Sequence, residues 1–255
     1  GPGVTGIAVG DAVLGTLRGA PGQGDRRGSL ADTLVVSIDD VVPKPTAMDF
    51  ETAATIGVAA QTVCGAFHAL NLNADDVIII ANASGGIGSL AVPLAVHRGA
   101  RVIGIASQRN SDYLRALGAV PVAYGDGIEQ RIRDAAPASV TKLLDCHLGE
   151  YIKLGFTLGL PGKAIGSLEP KPSAIIRGAH FTGSRHAKPG DLAEVAALVS
   201  DSTIKIAIER TYPFDIASIR QAYTKLAKGH VRGKLVIQVD QKTLTGAENF
   251  ASSHD

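Results

Sequence analysis

Residues 75–107 read DDVIIIANASGGIGSLAVPLAVHRGARVIGIAS, and this stretch decides the fold. The apolar run Val77–Ile80 leads into small residues and three glycines, and a helical pattern follows before a second apolar run, Val102–Ala106. Strand, glycine turn, helix and strand in this order predict the βαβ unit that binds a dinucleotide. The competing interpretation is an ordinary strand-to-helix turn in a protein that binds no nucleotide.

The glycines of this turn have separate predicted roles. Gly85 and Gly86 allow a tight turn and a close approach to a pyrophosphate, while Gly88 allows the helix to pack close to the strand. The N–H groups at the start of the helix then face the phosphates. Ala83 replaces the first glycine of G-x-G-x-x-G, so the motif reads A-x-G-x-x-G. The cofactor-binding residues predicted in this loop are Ser84, Gly85, Gly86, Ile87 and Gly88.

The end of the second strand indicates which dinucleotide is bound. An NAD site usually carries Asp or Glu about 20 residues beyond the glycines, to bind the ribose 2′-hydroxyl. Here the corresponding residues, Ser107 to Asn110, include no acid. The Ser107 hydroxyl and the Arg109 guanidinium suit a 2′-phosphate, which a carboxylate would repel. The sequence therefore predicts NADPH; the alternative for Arg109 is a solvated arginine at a helix start.

Composition excludes several classes of protein. With 255 residues, 45% of them hydrophobic and 19% charged, the chain can form one large domain or two smaller ones with a proper core. A net charge of +1 argues against nucleic-acid binding. Cys64 and Cys146 lack C-x-x-C spacing, so they predict reduced thiols in a cytoplasmic protein rather than a redox pair or zinc site. No apolar run is expected to span a membrane.

Alternating strand and helix patterns along the rest of the chain predict a doubly wound parallel α/β sheet with a smaller β-rich part. The predicted strands are Asp11–Leu14, a region within Leu30–Val42, Val120–Tyr124, Lys142–Asp145, Ala164–Leu168, Ile175–Phe181, Ile204–Ile208 and Lys234–Val239. The predicted helices are residues 48–73, Asp112–Leu117, Gly127–Ala136, Tyr151–Leu160, Asp191–Val199 and Ile216–Lys228. A loop is expected at Gly19–Gly28, and a polar tail at Gln241–Asp255.

Several motifs in sequence order resemble the medium-chain dehydrogenase/reductase superfamily, in its quinone oxidoreductase and enoyl reductase branch. They are Gly1–Val13, Val42–Pro45, Ala83–Gly88, Ala106–Ala119 and Gly229–Val236. The resemblance implies a Rossmann nucleotide-binding domain at residues 54–202. It also implies a partial GroES-like catalytic domain at residues 1–53 and 203–240, because the opening strands of that domain are expected before Gly1. Residues 241–255 form the tail.

The resemblance also implies an activity and further site residues. Relatives without zinc pass hydride from NADPH to a quinone or to an activated C=C bond, and the cysteine-free segment Gly15–Ser29 predicts no zinc here. Thr62, Tyr124, Cys146 and Leu168 join Ser107 and Arg109 as predicted cofactor-binding residues. The nearest catalytic candidates are Thr62 and His147, with no evident general acid.

Alternative interpretations remain for these residues and for the activity. Thr62 is otherwise a packing residue, Tyr124 a surface aromatic, and Cys146 and His147 two bulky residues over the cofactor. The competing activities are a specialised biosynthetic enoyl reductase, a reductive cyclase, or a non-catalytic nucleotide-binding protein. A small-molecule substrate is expected as partner. A homodimer is also expected, formed by pairing of the strand Ile175–Phe181, with no nucleic acid or membrane.

Overall fold

A computed structural model describes residues 3–17, 28–136 and 138–239. It contains ten strands and eight α-helices in these ranges. The predicted loop at Gly19–Gly28 lies almost wholly outside the described residues, and the predicted tail at Gln241–Asp255 lies wholly outside them.

The chain forms a six-stranded parallel sheet flanked by helices, which confirms the predicted α/β Rossmann-like fold. The sheet order is β5-β4-β3-β6-β7-β8. The strands are β1 Val13–Gly15, β2 Val41–Pro43, β3 Val77–Ala81, β4 Arg101–Ala106, β5 Val120–Ala123, β6 Lys142–Asp145, β7 Ile165–Ser167, β8 His180–Phe181, β9 Ile208–Pro213 and β10 Lys234–Gln238. The helices are α1 Phe50–Leu70, α2 Gly88–His97, α3 Ser111–Ala116, α4 Ile128–Ala135, α5 Ile152–Thr157, α6 Pro172–Ile176, α7 Asp191–Ser200 and α8 Ile216–Lys228.

Residues Val77–Ala81 are apolar because they form the central strand β3 of the sheet. All five of its residues are buried, because helices cover both faces of a parallel sheet. Successive side chains point to opposite faces, so Ile78 and Ile80 pack in the core with α1 and α2. Val77 and Ile79 pack on the other face, with residues of α4 and α5.

Helix α1 precedes the first strand of the six-stranded sheet in the chain and packs in the core. Its N-terminus is capped by the Asp49 carboxylate, which accepts a hydrogen bond from the Thr52 backbone N–H at 2.6 Å. Its 21 residues are long and apolar enough to cross a membrane by length and composition, contrary to the sequence-based expectation. However, 72% of that apolar window is buried inside the fold, so α1 is a core helix here.

Two predicted strands differ from the structure. Ile175 and Ile176 instead form the end of α6, which begins at Pro172, and only His180 and Phe181 of the predicted strand join the sheet as β8. The prediction of a strand at Ile204–Ile208 is also wrong. Ile204 is buried in the hydrophobic core and does not pair with a strand. Strand β9 begins at Ile208, which is its first residue to pair with β10.

The remaining strands form two small sheets beside the main one. Strands β1 and β2 pair antiparallel, while β9 and β10 pair parallel. All four lie in the two segments assigned from the sequence to the β-rich part, on either side of the nucleotide-binding stretch.

Candidate nucleotide-binding site

The predicted site lies in a crevice at the carboxyl ends of the parallel strands. The chain leaves β3 to one side for β4 and β5, and returns on its other side as β6. Ligands of open α/β sheets bind at this switch of direction. The Asn82 side-chain amide, directly after β3, donates a hydrogen bond to the Cys146 carbonyl after β6 at 3.4 Å, and so bridges the crevice.

The three glycines of the loop differ in how closely they are packed. A Cβ on Gly88 would lie 2.2 Å from the Asn82 carbonyl oxygen, so only glycine allows α2 to approach β3 this closely. A Cβ on Gly85 would meet the Asn82 side chain at 2.6 Å, which makes Gly85 an internal packing requirement of the turn. On Gly86 the nearest atom would be 3.5 Å away. These are ordinary van der Waals contacts with Gly233 and Lys234, so packing alone does not require glycine at position 86.

A hydrogen-bonded cluster joins the glycine loop to the next strand end. The Asn110 side-chain amide donates to the Ser84 hydroxyl at 2.9 Å and to the Ser107 hydroxyl at 3.1 Å. Asn110 and Ser84 are both buried. The structure therefore brings the two predicted serines together through Asn110. Sequence reasoning assigned no role to Asn110, although it stands in the same four-residue turn as Arg109.

Arg109 and Tyr124 lie at the outer end of the crevice. Arg109 is exposed, and its Nη2 donates to the His230 carbonyl at 2.6 Å, so the guanidinium already contacts the returning β-rich segment. Tyr124 follows β5 beside the end of β4, since its backbone N–H donates to the Ala106 carbonyl at 3.2 Å. Tyr124 is 47% exposed.

Asp145 organises the loop that follows β6. Its buried carboxylate accepts hydrogen bonds from the backbone N–H groups of His147 at 2.6 Å and Tyr151 at 3.0 Å. Burial raises the pKa of Asp145, and these two hydrogen bonds oppose that rise. The Asp145 carboxylate thus holds the loop between β6 and α5 in place through two backbone hydrogen bonds. The sequence analysis placed Asp145 at the strand end without this role.

The side chains of Cys146 and His147, which follow Asp145 in this loop, differ in reactivity. Burial and the neighbouring Asp145 charge raise the pKa of the Cys146 thiol, so Cys146 is a poor nucleophile. The His147 side chain is 44% exposed and its Nε2 lies 3.3 Å from Glu150 Oε2. Its ring also contacts Tyr151 at a centroid distance of 6.2 Å. His147 is thus a partly exposed group at the crevice edge, paired with Glu150.

Thr62 and Leu168 meet at the far end of the crevice. Thr62 lies on α1 and Leu168 follows β7, yet both side chains flank Gly183 after β8. A Cβ built on Gly183 would lie 3.6 Å from Leu168 Cδ2 and 3.7 Å from Thr62 Cγ2. The predicted site residues therefore lie along the carboxyl edge of the sheet. No group of three or more His, Cys, Asp or Glu side chains suited to a metal occurs in the described part of the chain.

A comparison with protein families and curated proteins gives three findings. A family model described as zinc-binding dehydrogenase matches residues 126–237. The human mitochondrial NAD(P)H oxidoreductase RTN4IP1 is 28% identical over 249 residues, which is 84% of this chain and 62% of the human protein. The spectinabilin polyketide synthase system protein NorB of Streptomyces orinoci is 32% identical over 93% of this chain and 11% of its own length. The chain thus spans less than two thirds of both relatives.

A solved structure shares the fold. The quinone oxidoreductase from Coxiella burnetii superposes with a TM-score of 0.81 at 28% sequence identity. The match covers 94% of this chain and 75% of that chain. The similarity therefore includes the small β-rich part as well as the six-stranded sheet.

Proposed function

Because this chain belongs to the medium-chain dehydrogenase/reductase superfamily, we propose that it is an NADPH-dependent oxidoreductase that reduces a quinone or an α,β-unsaturated carbonyl without zinc. The observation that carries the proposal is the glycine turn that leads from β3 into the uncapped start of α2, at the point where the strand order of the sheet changes direction. The names of the human and Coxiella relatives, an NAD(P)H oxidoreductase and a quinone oxidoreductase, support the same reaction class.

In the proposed binding mode, the dinucleotide lies along the carboxyl edge of the sheet. The Gly86 backbone and the start of α2 receive the pyrophosphate, because no side chain caps that helix. Ser107, Arg109 and Tyr124 lie where the adenosine ribose and its 2′-phosphate would reach. Thr62 and Leu168 lie at the nicotinamide end. When bound, the nicotinamide supplies the hydride, while the chain positions it and excludes water.

A second candidate is a specialised biosynthetic enoyl reductase. It is favoured by the 32% identity to the polyketide synthase system protein NorB over nearly the whole chain. Both candidates reduce an activated double bond, so the difference lies in the substrate pocket. A non-catalytic nucleotide-binding protein is the third candidate, since no general acid is evident among the crevice residues.

Steady-state consumption of NADPH with a panel of quinones and enones separates these candidates. We expect turnover with at least one small quinone or enone. Turnover limited to thioester-linked enones indicates the biosynthetic reductase. Tight NADPH binding without turnover on any member of the panel contradicts the proposed reduction and favours the non-catalytic role.

We expect metal removal to change nothing. Treatment with a chelator, followed by dialysis, is predicted to leave the melting temperature and any reductase activity unaltered, because the described residues gather no metal-binding group. Elemental analysis checks the prediction independently. One zinc per chain in the purified protein would contradict it.

A homodimer is the proposed assembly. Among the described residues, strand β8 pairs only with β7, and Phe181 of β8 and Ile176 of α6 are 43% and 87% exposed. A second copy that pairs along β8 would cover this edge. Sedimentation velocity at micromolar concentration is expected to show a dimer. A single monomeric species would rule out this mode of assembly.

A further inference from the structure

Asn110 stands at the start of α3, yet its side chain does not cap that helix. It ends the short turn Gln108–Asn110 after β4 and occupies the N-cap position of α3. Asparagine is a preferred residue at this position, because its side-chain oxygen can accept a hydrogen bond from a backbone N–H of the first helical turn. No such bond forms in α3. The preference of asparagine for helix starts therefore does not explain what this side chain does.

The Asn110 side chain instead joins the glycine loop to the end of β4. Its amide nitrogen lies 2.9 Å from Ser84 Oγ and 3.1 Å from Ser107 Oγ. Asn110 and Ser84 are each only 7% exposed, whereas Ser107 is partly exposed at the crevice. A buried amide thus connects a buried hydroxyl, which anchors it, with a second hydroxyl that a ligand can reach.

The direction of these two hydrogen bonds determines what the Ser107 hydroxyl can do. The amide NH₂ group has two hydrogens to donate, and both serine oxygens therefore act as acceptors. A hydroxyl that accepts a hydrogen bond still has its own hydrogen to donate. In the part of the chain that the structure describes, the Ser107 hydroxyl donates to no residue. Its hydrogen is therefore available to a ligand in the crevice.

We propose that Asn110 is a positioning residue that sets the Ser107 hydroxyl as a hydrogen-bond donor to the 2′-phosphate of NADPH, and so contributes to the choice between NADPH and NADH. This role rests on the proposed nucleotide binding. Phosphate oxygens accept charge-assisted hydrogen bonds, whereas a ribose hydroxyl both donates and accepts. A hydroxyl that is held as a donor therefore favours the phosphate over the ribose hydroxyl.

Asn110→Asp tests the proposal because it keeps the shape of the side chain and reverses its hydrogen-bond polarity. A carboxylate accepts from both serines, so it occupies the Ser107 hydrogen and adds a negative charge close to the 2′-phosphate. Calorimetric titration is expected to show about ten- to a hundredfold weaker binding of NADPH. Binding of NADH, which has no 2′-phosphate, is expected to change by less than about threefold.

Asn73→Asp is the matched control for the added charge. Asn73 is exposed and precedes β3, whereas the crevice lies at the opposite, carboxyl end of that strand. Its side-chain oxygen accepts a hydrogen bond from the Asp75 backbone N–H at 3.0 Å, and a carboxylate oxygen can accept the same bond. We expect this variant to bind both nucleotides as tightly as the wild type does.

A double-mutant cycle tests whether Asn110 acts through Ser107. Asn110→Ala is expected to weaken NADPH binding by about three- to tenfold, because it releases the Ser107 hydroxyl. In a Ser107→Ala background the same substitution should cause no further loss, since the hydroxyl that it positions is already absent. An equal loss of affinity in both backgrounds would show that Asn110 acts independently of Ser107 and would overturn the proposal.

The remaining outcomes separate this proposal from the proposed function. Unchanged NADPH affinity in Asn110→Asp, or equal losses for NADH and NADPH, would overturn the role of Asn110 while nucleotide binding stands. Failure of both Asn110→Asp and Asn110→Ala to fold, followed by circular dichroism, would assign Asn110 a structural role and also overturn it. A wild type that binds no nucleotide would instead remove the proposed function itself.

Discussion

Gly88→Ala is expected to lower the free energy of unfolding by about 3 kcal/mol or more. The added methyl group would lie 2.2 Å from the Asn82 carbonyl oxygen and 2.7 Å from the Ala83 Cα. Both are backbone atoms between a buried strand and a buried helix, so neither side can yield without moving α2 away from β3. For a chain of this size the loss corresponds to a fall of roughly 6–12 °C in melting temperature. Thermal unfolding followed by circular dichroism measures it.

Gly86→Ala is the matched control, because it adds the same methyl group two residues earlier in the same loop. That methyl group would contact the Gly233 carbonyl oxygen at 3.5 Å and Lys234 at 3.6 Å, which are ordinary van der Waals distances. The variant should melt within a few degrees of the wild type, yet bind NADH and NADPH at least about tenfold more weakly, since the methyl group fills the ligand surface. Equal melting temperatures for the two variants would contradict the packing role assigned to Gly88.

The central part of the fold could be predicted because its signals are local. The run Val77–Ile80 predicts a buried strand, and the glycines after it predict a turn into a helix; the structure has β3 and α2 at these positions. The predicted bounds of β6 and α8 match the structure residue for residue. In each case the apolar period and the flanking turn residues indicate the same element.

The two strand errors show where a local signal is insufficient. The run from Ile175 to Phe181 is apolar enough for a strand, but its first two residues end the helix that Pro172 begins, and only its last two pair with β7. Ile204 is apolar because it fills the core. Whether such a residue joins a strand depends on a partner elsewhere in the chain, and here pairing with β10 begins only at Ile208.

The candidate site could be predicted in part for the same reason. The glycine loop and the Ser107–Asn110 turn follow strands directly, so their position at the carboxyl edge follows from the order of the elements. The contact between Gly86 and Lys234 had no such local signal, because it depends on how the β-rich part packs against the glycine loop.

Arg109→Ala is expected to weaken NADPH binding by about one to two orders of magnitude and to leave NADH binding nearly unchanged. A charge-assisted hydrogen bond to the 2′-phosphate contributes roughly 1.5–3 kcal/mol, and NADH has no such group to lose. Arg109 is exposed, so the loss of its hydrogen bond to the His230 carbonyl should alter the melting temperature little. Arg115→Ala, an exposed arginine of α3 that pairs with Asp112, is the control for the change in net charge.

Titration of both nucleotides against wild type, Arg109→Ala and Arg115→Ala measures the preference directly. Equal losses for NADH and NADPH in Arg109→Ala would mean that Arg109 acts by holding the backbone at His230 rather than by binding the 2′-phosphate. The preference for NADPH would then have to be carried by other residues, with Ser107 and Tyr124 the first to substitute.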